Sequence, residues 1–283
     1  MRSLILILLL FHQQYALADS DSLLIAAMDS IENEYQFKKG NPIPIEAYGK
    51  VNLKNNFKFL DKKQTNDFVS KYWGILSDEV SYLGLILENN KSIFDTSALL
   101  FTIYYLPNLL VHDEEFEVLE DSRLLKQLKH INDSVNIEKI KIGATPLKVL
   151  DWLVKPTYVM ESNCVYWAEQ IESESGNKQV SAHLRFIGKE GVMAFDCVSS
   201  WNSSKKMIEE LKKLHNIFSF NESLKYNKNF KSNAHKSIEF LVIGTTLGQT
   251  PFEMFFSKYW KALFFILGIG GVILFFQYRT TKL

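Results

Sequence analysis

The chain has 283 residues, 47% of them hydrophobic, and Lys+Arg 32 stand against Asp+Glu 32. Zero formal net charge excludes a global basic field for holding nucleic acid, and the hydrophobic share excludes a disordered polar chain. With Cys 2, a disulfide scaffold is excluded as well.

Residues 1–18 read as a secretory signal: Arg2 supplies the positive start, residues 4–11 a short apolar run, and Ala16 and Ala18 a small-residue site, so cleavage is expected after Ala18. An apolar run of about eight residues falls well short of the roughly twenty needed to span a bilayer. Residues 19–40 form a lead-in.

An N-terminal α+β lobe is expected over residues 41–131. Pro42 and Pro44 open it, and the loose alternation of Tyr48, Val51, Leu53, Phe57 and Phe59 reads as strands divided by a turn at Asn55 and Asn56. Asp61, with Gln64 three residues on, predicts a helix N-terminus, and Gly74 its end. Two apolar runs follow, 82–87 and 98–106, both read as strands, with Pro107 closing the second. Residues 113–131 read as a helix that starts in an acidic run. The weakly patterned 132–147 is the expected linker.

A second α+β lobe is expected over 148–236. Residues 149–154 are apolar, and 158–167 read as a strand. The clearest local pattern is a hairpin over 180–199, with Gly188, Lys189, Glu190 and Gly191 as its loop. That loop sets Leu184 opposite Phe195, Phe186 opposite Met193 and Ala182 opposite Cys197 on one apolar face. On the other face it sets His183 opposite Asp196, with Arg185 on the diagonal. Ser203 or Ser204 is expected to cap the next helix, whose stripe is Met207, Ile208, Leu211, Leu214 and Phe218.

Residues 237–257 read as a juxtamembrane segment. The run 258–278 reads as a transmembrane helix, because 262–276 carry no charge and its length of about 27 Å matches one hydrocarbon core. Trp260 and Tyr278 are expected at the two interfaces, with Arg279 anchoring a short cytoplasmic tail at 279–283. Export followed by this stop places the body outside a cytoplasmic membrane, as a single-pass protein.

Three constellations invite chemistry. Asn163 and Cys164 with His183 suggest a thiol nucleophile, but such thiols usually begin a helix, whereas Cys164 falls in an expected strand. Cys164 and Cys197 are read either as a disulfide or as two buried thiols, since export puts them in an oxidising compartment. His112 beside Asp113, Glu114 and Glu115 lacks the spacing of a metal motif. No metal and no cofactor is expected. His183, Asp196 and Arg185 remain the candidate catalytic residues.

Several runs together resemble the bacterial family catalogued as domain of unknown function 2167. They are GKVNL from Gly49, FKFLD from Phe57, YWG from Tyr72 and LGLIL from Leu83, then YWA from Tyr166, LRFIG from Leu184, and YNKNF from Tyr226. The resemblance implies an exported, membrane-anchored bacterial protein and carries no activity.

The expected architecture is therefore α+β, with short, mostly antiparallel strands, covering helices, two lobes and one C-terminal transmembrane helix. The expected function is a non-enzymatic envelope or membrane-associated interaction protein, partnered by the bilayer and a membrane protein and by no nucleic acid. The alternatives are a hydrolase or transferase of envelope substrates acting through the His183 and Asp196 face, and an accessory subunit of a membrane complex.

Overall fold

The computed structural model describes residues 26, 28–53, 56–73, 81–109, 111, 120–141, 145–226 and 241–243. Within them the chain is α+β, and every strand pairing is antiparallel. Three short strands, β1 (Ile43–Ile45), β2 (Gly49–Val51) and β10 (Phe218–Phe220), form a small sheet in the order β1-β2-β10. The remaining strands form a seven-stranded sheet: β3 (Phe57–Asp61), β4 (Gly84–Glu88), β5 (Leu100–Pro107), β6 (Leu147–Val159), β7 (Cys164–Ser173), β8 (Lys178–Ile187) and β9 (Gly191–Ser200). Their order is β3-β4-β5-β9-β8-β7-β6.

The β8–β9 hairpin has the register its sequence implies: Ala182 faces Cys197, His183 faces Asp196, Leu184 faces Phe195 and Phe186 faces Met193. Gly188 N donates to Gly191 O at 2.8 Å and closes the loop. Gly191 is needed for space, since a Cβ there would lie 2.4 Å from Leu106 O on the neighbouring strand.

Alternation along each strand sends side chains to two faces. One face carries Ile86, Phe101, Ile103, Leu184, Phe186, Met193 and Phe195, and it is covered by the small sheet and by helix α3 (Ser204–Leu211) through Met207 and Leu211. The opposite face has two separate covers. Over β3 and β4 lies helix α1 (Lys62–Phe68), continued by a wider turn at Val69–Trp73 that packs Phe68, Val69 and Trp73 on Leu60, Leu85 and Leu87. Over β6 and β7 lies helix α2 (Asp121–Lys141), whose Leu124 and Leu128 pack with Val165, Trp167 and Ile171. Helical residues 241–243 join that second cluster, with Leu241 and Val242 fully buried.

Asp61 caps α1 as expected, its Oδ1 accepting from Gln64 N at 3.1 Å. The reciprocal half of the capping box is absent, because Gln64 Oε1 accepts from Gln36 N instead. Ser203 holds the N-cap position of α3, yet its hydroxyl donates to Ser97 O at 2.9 Å and makes no cap bond. The stripe expected as one helix is divided: α3 ends at Leu211, and Phe218 begins β10.

Several boundaries differ from the sequence reading. The strand expected over 158–167 straddles a tight turn: β6 ends at Val159, Met160–Ser162 form a helical turn, Asn163 is left-handed at φ 47°, and Cys164 begins β7. The stretch expected as a linker, 132–147, contains the second half of α2 and the first residue of β6. Its helical pattern is masked because two of its inward positions are asparagines. Asn132 Oδ1 accepts from Val149 N at 3.4 Å, while Asn136 accepts from Leu147 N at 3.1 Å and donates to Leu147 O at 2.7 Å. These amides serve the outer edge of β6, which pairs with no further strand among the described residues. Pairing of β5 with β9, and of β2 with β10, means that strands from the two expected lobes share both sheets.

No helix among the described residues is long and apolar enough to cross a membrane. The signal at 1–18, the span at 258–278 with Trp260, Tyr278 and Arg279, the glycine at 74, and His112 with its acidic neighbours lie outside the described residues.

Candidate functional site: a buried ion network on the sheet

The face of the large sheet that carries α1 at one end and α2 at the other is polar in the middle, where β5, β9, β8 and β7 bring Tyr104, Asp196, His183, Arg185, Ser181 and Glu169 together. His183 Nδ1 lies 2.6 Å from Asp196 Oδ1, and Nε2 lies 2.8 Å from Glu169 Oε1. Ser181 Oγ is 2.9 Å from the same Nε2. Arg185 Nη1 donates to Asp196 Oδ1 at 2.6 Å and to the carbonyls of Leu184 and Phe195 at 3.0 and 3.2 Å. Tyr104 donates its hydroxyl proton to Asp196 Oδ2 and accepts from Arg185 Nη2 at 3.4 Å. Trp167 stacks on the imidazole, centroids 5.0 Å apart and planes 19° apart, and the Arg185 guanidinium lies 5.2 Å from the Trp167 ring.

Burial is nearly complete. His183 and Glu169 are each 1% exposed as side chains, Arg185 is 0% and Asp196 is 11%. Burial by itself disfavours the imidazolium, but Glu169 and Asp196 on either side outweigh it and raise His183 to about 9. Burial also opposes the Asp196 carboxylate, and Arg185 and His183 together reverse that and hold it well below the ordinary carboxylate range. Tyr104 is pushed well above its ordinary value, first by burial. Among the described residues, Glu169 Oε2 is a buried oxygen with no hydrogen-bond partner.

The sequence places the catalytic candidates on an exposed face, and here the structure corrects it: the His183 and Arg185 side chains are buried and Asp196 nearly so. A protonated His183 has no lone pair to act as a base, and both its ring nitrogens are engaged. The thiol reading fails on geometry, because Cys164 packs on the opposite face, with Phe186 and Leu184. Burial pushes its thiol, and that of Cys197, far above the ordinary value. Nor is the disulfide formed: both cysteines are free and buried. Cys164 is opposite Phe186 on β8, and Cys197 is opposite Ala182 on β8 from the other side. Two strand spacings of about 4.8 Å, plus four residues of offset, exceed the roughly 7 Å limit for a bridge.

Glu169, Ser181, Trp167 and Tyr104 complete the network and are missed by the sequence reading. One signal for Glu169 exists: it is a carboxylate in the middle of the apolar run VYWAEQI, where an unpaired charge would be costly. Tyr104 carries no such signal, since only the β5–β9 pairing brings it near Asp196.

Open clefts lie elsewhere, around the start of α1. One of about 380 Å³ is lined by Lys38, Asn41, Pro42, Ile43, Asp61 and Leu83 among others, and one of about 410 Å³ by Glu34, Gln36, Lys62, Lys63 and Gln64 with Asp61. Their charges are largely self-paired, Lys38 with Asp61 at 3.0 Å and Lys62 with Glu46 at 2.8 Å.

A family model described as "Protein of unknown function (DUF2167)" matches residues 36–268. No curated protein matches the chain. Among solved structures, the solution structure of cyanobacterial PsbP (CyanoP) from Synechocystis sp. PCC 6803 is similar at 7% identity, covering 66% of this chain and 92% of that one. Its TM-score of 0.34 lends nothing to the reading of this chain.

Proposed function

The chain belongs to the DUF2167 family of proteins of unknown function, and from that premise we propose that it is an exported, single-pass membrane protein whose body works by binding a membrane partner rather than by catalysis. The observation that carries this reading is the state of the His183, Asp196 and Arg185 cluster: its polar groups are turned on one another inside the sheet, where a substrate has no access. Export and anchoring are supported by the apolar runs at 4–11 and 260–278 with their flanking charges and aromatics. The accessory subunit of a membrane complex is the narrower form of the same reading.

The test is purification of the full-length protein in a gentle detergent, beside a chain ending at residue 257, with mass spectrometry of what accompanies each. A reproducible membrane-protein partner that is lost with the C-terminal run supports the reading. No partner in either preparation, with hydrolysis of an envelope substrate abolished by His183→Gln in a folded protein, overturns it.

A further inference from the structure

The cleft of about 380 Å³ beside the start of α1 lies between β1, an edge strand of the small sheet, and the β3 and β4 side of the large one. Its floor is Ile43, Ile45, Phe59 and Leu83, all members of the core cluster that joins the two sheets. Pro42 and Pro44 stand exposed on its wall. Neither proline has an N–H, and Pro44 is the middle residue of β1, so this edge is closed to pairing with an added strand. What the cleft offers is apolar surface.

Its mouth is charged. Lys38 pairs with Asp61 at 3.0 Å and Lys62 with Glu46 at 2.8 Å, while Lys39 makes no ion pair among the described residues. The four side chains of those pairs remain between 33% and 54% exposed, and pairs so open to water are weak enough for a lysine to exchange its carboxylate for another anion. Glu46 is also held at φ 44°, a left-handed conformation that costs a glutamate and that persists where a surrounding clamp imposes it.

We propose that this cleft binds a small anionic amphiphile, with its short hydrocarbon body on the Ile43, Ile45, Phe59 and Leu83 floor and its carboxylate or phosphate held by Lys39 together with Lys38 and Lys62. The volume falls within the range of small-ligand clefts, roughly 300–1,000 Å³. The neighbouring cleft of about 410 Å³ lacks such a floor, since its described lining is Glu34, Gln36, Asp61, Lys62, Lys63 and Gln64. The proposal goes beyond the membrane-partner reading and does not depend on it, because the cleft is formed by the body of the chain whether or not the chain is anchored.

The test uses the full-length protein in nanodiscs of zwitterionic lipid and a hexanoate with a photoreactive diazirine on its chain, short enough to remain mainly in water. Mass spectrometry maps the label. Saturable labelling concentrated at residues 38–46 and 83 is the expected result, competed by hexyl phosphate and not by hexyltrimethylammonium. Lys39→Glu should lower it severalfold and Lys39→Arg should restore it, and an unchanged melting temperature shows that both variants are folded.

Labelling that does not saturate, that yields equally to the cationic competitor, or that is unaltered in Lys39→Glu overturns the proposal. So does a label confined to residues 34–36 and 63–64, which assigns the ligand to the neighbouring cleft. Nanodiscs with anionic lipid then separate the sources of the ligand: suppressed labelling makes it a membrane lipid and unchanged labelling a free amphiphile, and the site stands in both cases.

Discussion

Asp196 Oδ1 lies 2.6 Å from His183 Nδ1 and 2.6 Å from Arg185 Nη1, so one carboxylate oxygen on β9 holds two cations of β8. Both of those side chains are buried, which makes the carboxylate the central member of the network. Asp196→Ala is expected to lower unfolding free energy by about 3–5 kcal/mol, the cost of leaving buried charge uncompensated. Urea unfolding followed by Trp fluorescence checks it. A loss below about 1 kcal/mol would mean the site tolerates an open charge, as catalytic sites do.

The pH dependence has a definite sign. His183 is raised from its ordinary 6.5 to about 9, so the stability it contributes is full below pH 6.5 and is lost as pH rises through 9. The loss is on the order of 3 kcal/mol. Asp196 is depressed below its ordinary 3.8, so its contribution is present above that pH and is lost as pH falls through the lower folded value. The urea midpoint should therefore be flat from about pH 4.5 to 6.5 and fall on both sides. His183→Gln should lack the alkaline limb; a wild-type midpoint unchanged from pH 6.5 to 10 would contradict the assignment.

The cysteines give a chemical test. Both thiols are buried, on β7 and β9 with β8 between them, so the native protein should not react with a thiol reagent at neutral pH. Denaturation should release two reactive thiols without reductant, and any lower count would indicate a bridge.

Asn136 closes the edge of the large sheet by holding both backbone groups of Leu147. Asn136→Ala removes both bonds and exposes a strand edge. A cost of about 1–3 kcal/mol is expected, with faster aggregation on heating. Light scattering beside calorimetry separates the two effects, and an unaltered melting temperature would show that water replaces the amide.

Gly49 is required by contact. A Cβ there would stand 2.2 Å from the backbone oxygen of Ser219 on β10 and 2.7 Å from the Phe218 ring, so Gly49→Ala must push β2 from β10. The expected loss is about 1–3 kcal/mol, or very roughly 2–12 °C in melting temperature for a body of this size. Unchanged melting would show that the small sheet is pliable there.

Much of this was legible in local pattern. The hairpin of β8 and β9 announces itself because a glycine-bounded loop fixes which residues are opposite, and strict alternation then decides which face each takes. That alone puts His183 across from Asp196 and Arg185 on its diagonal. The cap of α1 is read from Asp61 for a similar reason, since the bond it makes spans only three residues. The runs at 1–18 and 258–278 likewise carry the export and anchoring proposals in their length and flanks alone.

What the sequence could not decide is who stands next to whom across long separations. The order β3-β4-β5-β9-β8-β7-β6 inserts the hairpin between strands from both halves of the chain, and this brings Tyr104 to Asp196 and buries a face that period-two reading leaves open. The length of helix α2 is hidden for the opposite reason, because its inward Asn132 and Asn136 look like a polar linker until the edge of β6 is placed beside them. Alternation and capping are set by neighbours a few residues apart and so are written in the chain. Burial, and with it the difference between a reactive histidine and a structural one, is set by whichever distant elements pack on top, and only the tertiary structure assigns those.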